Sequence, residues 1–390
     1  MKSKAPQNDP AVLLYEPRIE GHHLGWLRFI TEDLLGAGYK LTLAIDTRPN
    51  ALARIRGHMG GLLDKVNILS AVQSNSTRID AKLVAKCLRE SGAQSVFLNS
   101  FDEIASDVLR NAAWGKMPPR ALRGKLGGVY LRPRFLVEEE FSFNNLLKRI
   151  GFGRLVRGNW FSHLLFLDPL ARENGLKRFP TAPFFFLPDP YPENFVVDAA
   201  EARRALQVPE GRRVFLFYGG AYRRKGLHLA VEAFRRLAPQ TPALLLCAGQ
   251  QAEDPDIKSG LDELVRRKQA VVINRYVSEQ EEKQLFAASD AVLLPYVNHF
   301  GSSGVLSRAA GAGKMIIASD EQLVGRLVRE NGLGIVFPSG DIDYLQASIQ
   351  RSINTGEAQM RKWQSSSQKF GQLCSRGAFH DALLCSFVKH

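Results

Sequence analysis

Residues 214–226, VFLFYGGAYRRKG, hold the residue types that a phosphate group needs. An apolar strand runs into Gly219-Gly220, and Arg223-Arg224-Lys225 follow before an amphipathic stretch begins at Leu227. Glycines let backbone N–H groups approach an anion, cations neutralise it, and the next helix N-terminus adds the positive end of its dipole. The pattern also fits a plain strand-to-helix turn with solvated basic residues. Gly301-Ser302-Ser303-Gly304 is a second candidate, with two hydroxyls and several N–H groups ahead of a helix. A capped helix start is its plainer reading. Arg132 and Arg134 flank a proline at a strand end and suit an anionic group. Asp254-Pro255-Asp256 and Asp341-Ile342-Asp343 resemble paired metal ligands, but both lie at loops or helix starts, where capping explains them. No His/Cys/Asp cluster suggests a tight metal site, so no metal and no cofactor is expected.

Such loops need rigid elements to aim them. In the second half, apolar runs predict strands over Val214–Tyr218, Ala243–Cys247, Ala270–Asn274, Ala291–Leu294, Met315–Ala318 and Gly334–Phe337. Helical patterns lie between them, which is the rhythm of a doubly wound α/β domain whose ligands sit beyond the strand C-termini. The first half repeats the rhythm. It has strands at Ala11–Tyr15, Leu41–Ile45, Val66–Leu69, Ser95–Leu98 and Val129–Leu131, and a helix over about Leu24–Leu35. A stiff proline-rich link, Pro188-Asp189-Pro190-Tyr191-Pro192, separates the halves. The expected organisation is a first domain over 1–190, a second over 191–358, and a C-terminal helix over 359–390 that packs back on the first.

At 390 residues, two domains are the default. No run reaches the roughly 18 apolar residues of a spanning helix, and the N-terminus lacks the apolar core of a signal peptide, so a cytoplasmic protein is expected. The four cysteines are scattered and read as buried free thiols. The net charge of +13 is uneven: residues 1–190 hold 27 Lys+Arg against 18 Asp+Glu, a surplus of 9. An acidic partner follows, whether phosphate, anionic lipid or nucleic acid. Residues 141–166 interleave Lys148, Arg149, Arg154 and Arg157 with apolar side chains. They read as a core helix with a solvated basic face, or as a face resting on an anionic membrane or a lipid-linked substrate.

The second half resembles the nucleotide-sugar-dependent glycosyltransferases of family 4, which have GT-B architecture. Four stretches carry the likeness in the family's order: YGGAYRRKGLHLAVEAF (218–234), VSEQEEKQLFAASDAVLLPY (277–296), FGSSGVLSRAAGAGKMIIASD (300–320) and GLGIVFPSGD (332–341). In the first half, 13–46 looks like the family's opening strand, glycine loop and helix. The resemblance implies an α/β protein of two Rossmann-like doubly wound domains facing a cleft. It implies transfer of a sugar from a nucleoside-diphosphate sugar to a glycan, lipid-linked or small-molecule acceptor, with retention at the anomeric carbon. Lys225 matches the family's phosphate-binding lysine, and Gly219, Gly220, Ser302, Ser303 and Gly304 would line the donor. Gly21 and His22 match the glycine loop on the acceptor side. Asp102 follows a strand there; a base, an acceptor-orienting group and a helix N-cap are its three readings.

The chain departs from the family at charged positions. Gly220 stands where an arginine is usual, so Arg223 or Arg224 would supply that charge. Phe300 and Arg308 stand where many members carry two glutamates. Arg308 would face the diphosphate or the ribose, or lie on the surface. Arginine at 132 and 134 occupies the region where the family often has a histidine. These losses motivate a second reading, a non-catalytic relative that binds a nucleotide or glycan as a partner subunit. A third, nucleic-acid binding, lacks any recognisable module and is not expected.

Overall fold

The computed structural model describes residues 10–19, 23–72, 79–138, 141–192, 197–220, 222–251 and 254–388. The chain divides into two compact units, Met1–Leu187 with Phe379–His390, and Pro188–Ala378. Each is an α/β layer structure around a parallel sheet, the doubly wound class expected from the alternating strand and helix patterns.

The first unit holds β1 (Ala11–Glu16), β2 (Lys40–Ile45), β3 (Asn67–Ser70), β4 (Ser95–Leu98), β5 (Leu126–Tyr130), β6 (Phe161–Phe166) and β7 (Phe184–Phe186). Their order is β3-β2-β1-β4-β5-β6-β7, and the winding reverses between β1 and β4. The second unit holds β8 (Arg213–Tyr218), β9 (Ala243–Ala248), β10 (Ala270–Ile273), β11 (Ala291–Leu294), β12 (Met315–Ser319) and β13 (Gly334–Phe337). Their order is β10-β9-β8-β11-β12-β13, with the reversal between β8 and β11. All pairings are parallel. A parallel sheet covered on both faces needs apolar side chains in both directions, which is why β9 reads ALLLCA with every residue buried. Along β1, Leu13 and Tyr15 enter one core and Val12 and Leu14 the other, following the two-residue strand period.

The segment expected as one tail helix is two, Glu357–Leu373 and Arg376–Phe387. Ser375 breaks the run, its hydroxyl accepting from Ala378 N at 3.1 Å, as an N-cap does. The second helix belongs to the first unit. Phe379 packs edge-on to Trp26 with ring centroids 5.7 Å apart, and Phe387 stacks on Phe97 at 5.5 Å. His380 Nδ1 lies 2.7 Å from Asp33 Oδ1.

The stretch 141–166 is not one interleaved face. Phe161–Phe166 is a sheet strand, largely buried, leaving the helix Phe143–Arg157 to present a surface. On that helix Arg149 donates to Phe135 O, and Arg154 to Ala112 O and Ala113 O, so two of the four cations are spent on backbone carbonyls. No helix among the described residues is long and apolar enough to cross a membrane.

Candidate functional site

In the second unit the turn after β8 and the loop after β11 meet at the β8/β11 reversal, where open parallel sheets take their ligands. Gly219 turns the chain off β8 at φ 107°, a conformation costly for any residue with a Cβ. Arg223–Lys225 forms a single 3₁₀ turn, and Gly226 closes it at φ 75° before the helix Leu227–Arg235. A Cβ on Gly226 would stand 1.7 Å from Pro295 O, so glycine lets the basic turn lie against the end of β11.

Lys225 Nζ donates to Tyr296 Oη at 2.9 Å and lies 4.2 Å from the centre of that ring. Tyr296 Oη is 2.8 Å from Ser303 Oγ. The ammonium can only donate, so Tyr296 Oη accepts from Lys225, while either hydroxyl can be the donor between Tyr296 and Ser303. Arg224 NH1 lies 3.3 Å from His299 Nδ1, and His299 Nε2 lies 3.1 Å from Ser302 O. A carbonyl only accepts, so Nε2 carries the proton and Nδ1 accepts from Arg224. Glu321 holds this loop from beneath, accepting from Asn298 N at 2.8 Å, His299 N at 3.2 Å and Ser339 Oγ at 2.6 Å.

The helix Gly304–Gly311 begins without a side-chain cap, since the Ser303 hydroxyl faces Tyr296 instead. The capped-start reading of this loop therefore gives way, and first-turn N–H groups are left for an anion. Ser302 Oγ donates to Asp189 Oδ2 at 2.8 Å. Burial pushes the Asp189 carboxyl above the ordinary carboxylate range, opposed by that bond and by the charges of Arg308 and Lys225. Arg308 is not a surface arginine: it is ion-paired with Glu282 through Nε and donates to Gly304 O at 3.0 Å. Arg223 turns away from the loop, 3.3 Å from Asp254 Oδ2 and mostly exposed. Asp254 also caps the helix Pro255–Arg266, and Asp341 caps Ile342–Asn354. No group of acidic, His or Cys side chains among the described residues could hold a metal ion.

In the first unit, Asp102 is the first residue of the helix Asp102–Ala113 rather than its cap. Its carboxylate accepts from Leu131 N at 2.7 Å and Arg132 N at 3.0 Å, fixing the turn after β5. Burial raises its pKa to about 6 despite these bonds. Arg132 stays well exposed, 3.8 Å from Asp102, and Arg134 lies 3.9 Å from Glu138. Gly21 and His22 lie outside the described residues. The neighbouring His23 is described, and buried Glu16 holds it at 2.6 Å.

Residues 198–370 match the family model of the glycosyl transferases group 1. That stretch spans β8 to β13 and the whole basic turn. No curated protein sequence matches the chain. Among solved structures, HepE of Anabaena, in complex with UDP and glucose, superposes with a TM-score of 0.66 at 16% identity, covering 97% of this chain and 99% of its own. Sucrose-phosphate synthase from Thermosynechococcus elongatus gives 0.68 at 15%, with coverage of 97% and 98%. WaaG, a glycosyltransferase involved in lipopolysaccharide biosynthesis, gives 0.65 at 14%, with coverage of 96% and 98%. The likeness extends to the first unit, so this chain shares the two-sheet glycosyltransferase fold over nearly its full length.

Sequence reasoning located Lys225, Arg224, Ser302 and Ser303 but missed Tyr296, His299, Glu321 and Asp189. Tyr296 hides at the end of the apolar run AVLLPY, and Glu321 reaches its partners across 18 to 23 residues. The proline link offered a signal for Asp189: it is the one carboxylate in PDPYP.

Proposed function

We propose that the chain transfers a sugar from a nucleoside-diphosphate sugar to an acceptor hydroxyl, with the donor held by the second unit. One observation carries the reading: the Lys225–Tyr296–Ser303 chain at the β8/β11 reversal, beside an uncapped helix start. Lys225 stabilises the negative charge that grows on the departing diphosphate, and Ser303 offers its proton to a phosphate oxygen. Arg224, anchored on His299, supplies the charge that Gly220 does not. The stretch matched to the group 1 family and the UDP-bound fold neighbour support this reading. Transfer proceeds with retention, the departing phosphate taking the acceptor proton on the same face, which suits a donor loop without a carboxylate base at 300 or 308. In the first unit, Arg132 and Arg134 meet anionic groups of the substrates, Asp102 positions Arg132, and Gly21 and His22 line the acceptor. A lipid-linked acceptor at an anionic membrane fits Phe141 and Phe143, which are 83% and 62% exposed, with Lys148 and Arg157 on the adjoining helix.

A thermal-shift series with UDP, GDP, ADP and their glucose conjugates tests the donor. Selective stabilisation by one nucleotide is expected, since a ligand at a hundred times its Kd adds about 2.7 kcal/mol. Stabilisation by none of them refutes the reading. Stabilisation without turnover over a panel of acceptors favours a non-catalytic subunit.

A further inference from the structure

The helical layer of the first unit carries a hollow of about 360 Å³. It lies between the short helix Arg134–Val137, the helix Phe143–Arg157 and the helix Pro169–Arg178. Three cations line it, Arg149, Lys177 and Arg178, beside Asn174 and the buried Phe135 and Leu136. Among the described residues no carboxylate lines the hollow, and neither Lys177 nor Arg178 has an ion pair. Arg149 stands midway along its helix. Its Nε donates to Phe135 O at 2.8 Å and its NH2 to Glu138 O at 3.3 Å. Those carbonyls fix the plane of the guanidinium without cancelling its charge, and they leave NH1 without a partner among the described residues. Asn174 Nδ2 donates to Leu136 O at 2.8 Å, which ties the wall carrying Lys177 and Arg178 to the wall that anchors Arg149.

The helix dipole accounts for part of this. Lys177 and Arg178 stand in a last turn, where a cation gains about 0.3–1 kcal/mol. It does not account for Arg149, which a different helix brings to the same hollow. Like charges gathered without a counter-charge repel, and a bound anion relieves that repulsion. A carboxylate would bring one charge to three cations. A phosphate monoester brings about −1.5 to −2 at pH 7 and three acceptor oxygens, and a guanidinium binds such oxygens through charge-assisted N–H bonds. The volume falls at the small end of the roughly 300–1,000 Å³ of small-molecule sites, so an organic body fits beside the phosphate, against Phe135 and Leu136. The position separates this hollow from a substrate crevice. The helix Pro169–Arg178 leaves β6 and leads to β7, so its last turn lies where the parallel strands begin, whereas substrates of open α/β sheets sit beyond the strand C-termini.

We propose that the hollow is a binding site for a phosphate monoester, its phosphate held by Arg149 NH1, Lys177 and Arg178. This goes beyond the glycosyl-transfer reading and does not rest on it. The monoester is either a free metabolite or the headgroup of an anionic lipid.

Two arms on the full chain test the site and tell the sources apart. One is calorimetric titration with glucose 6-phosphate and glycerol 3-phosphate. The other is co-sedimentation with phosphatidylcholine vesicles, with and without phosphatidic acid. Binding in at least one arm is expected: a soluble probe that binds makes the ligand a free metabolite, and binding to phosphatidic acid vesicles alone makes it a headgroup. Lys177→Gln with Arg178→Gln is expected to weaken that binding at least about tenfold, since it removes two of three charge-assisted contacts. Both side chains are exposed, so the unfolding transition should stay in place. Lys82→Gln with Lys86→Gln removes the same charge from exposed positions on the helix Ala81–Ser91 and should change binding by less than about twofold, because exposed charges far from the site are screened. Lys225→Ala should leave it unchanged. No binding in either arm, equal weakening by the two double variants, or loss of binding in Lys225→Ala alone overturns the proposal. The UDP thermal shift, measured on the same samples, keeps the two readings apart. A UDP response without monoester binding defeats the hollow alone, and monoester binding without a UDP response defeats the donor reading alone.

Discussion

At the β8/β11 reversal the chain sets a lysine, an arginine and two serines around an uncapped helix start. At the β1/β4 reversal it sets a buried carboxylate, an imidazole and an amide. Both sheets are wound alike, and in both the polar groups come from strand ends and the segments that follow them. The sheet therefore decides where such groups gather, and a few side chains decide their charge. The second unit gathers cations and hydroxyls at its reversal. The first gathers a buried carboxylate, Glu16, that accepts from an imidazole and an amide.

The sharpest way to break this contrast is Lys225→Ala. Removing a charge-stabilising donor costs about 2.7–4 kcal/mol in kcat, or 10²–10³-fold, and the UDP thermal shift should fall with it. His23→Gln, in the first unit, should leave the UDP shift intact. If both substitutions abolish UDP stabilisation, the division of labour is wrong.

Gly226→Ala asks whether the anion turn depends on its close approach to β11. A Cβ 1.7 Å from Pro295 O must displace backbone, and the φ of 75° is itself unfavourable for alanine. A loss of about 1–3 kcal/mol in denaturant unfolding is expected, with spectroscopic changes confined to the second unit. An unchanged midpoint would mean that the turn relaxes freely.

The legibility of the two regions differed for a physical reason. Glycines and a run of cations are local signals, and Gly219-Gly220 with Arg223-Arg224-Lys225 marked the basic turn after β8 within a dozen residues. Strands were equally plain, because burial on both faces leaves nearly unbroken apolar runs such as ALLLCA. Partners brought together only by the fold were not legible. Glu16 closes the run AVLLYE, where a terminal charge reads as the edge of the strand, and Asn99 lies 83 residues away. Arg308 shows the same limit: its type was evident, but its pairing with Glu282, 26 residues earlier, depends on how two helices pack.

Smaller effects sharpen the picture of the basic turn. Arg224→Ala should weaken UDP by about tenfold, since it removes a charge fixed on the serine loop. Arg223→Ala should change it by less than about twofold, because an exposed pair with Asp254 is worth little. Isothermal titration distinguishes them, and the reverse order would move the missing charge back to Arg223.

The smallest expected effect is one of pH. Burial raises the Asp102 carboxyl to about 6 from an ordinary 3.8, so the folded state holds the extra proton and this group's contribution falls as pH rises through that window. His163, buried against Phe97 and Phe387, is lowered to about 4 from 6.5 by desolvation. Its contribution is full above pH 6.5 and is lost as pH falls toward 4. The two oppose each other within the first unit. Denaturant midpoints between pH 4 and 7 should therefore tilt toward an acid fall in Asp102→Asn and toward an alkaline fall in His163→Leu; matching slopes in wild type and both variants would refute both assignments.

The helix Arg376–Phe387 closes the core of a unit whose other residues end at Leu187. On a ribosome adding about 5–20 residues per second, the intervening segment Pro188–Ala378 takes roughly 10–40 s to make. For that interval Trp26, Phe29 and Phe97 lack the aromatic partners that Phe379 and Phe387 bring. The second unit, continuous in sequence, can finish first. The half of the molecule synthesised first is thus the half completed last, and a nascent chain is exposed to chaperones and proteases through its oldest residues.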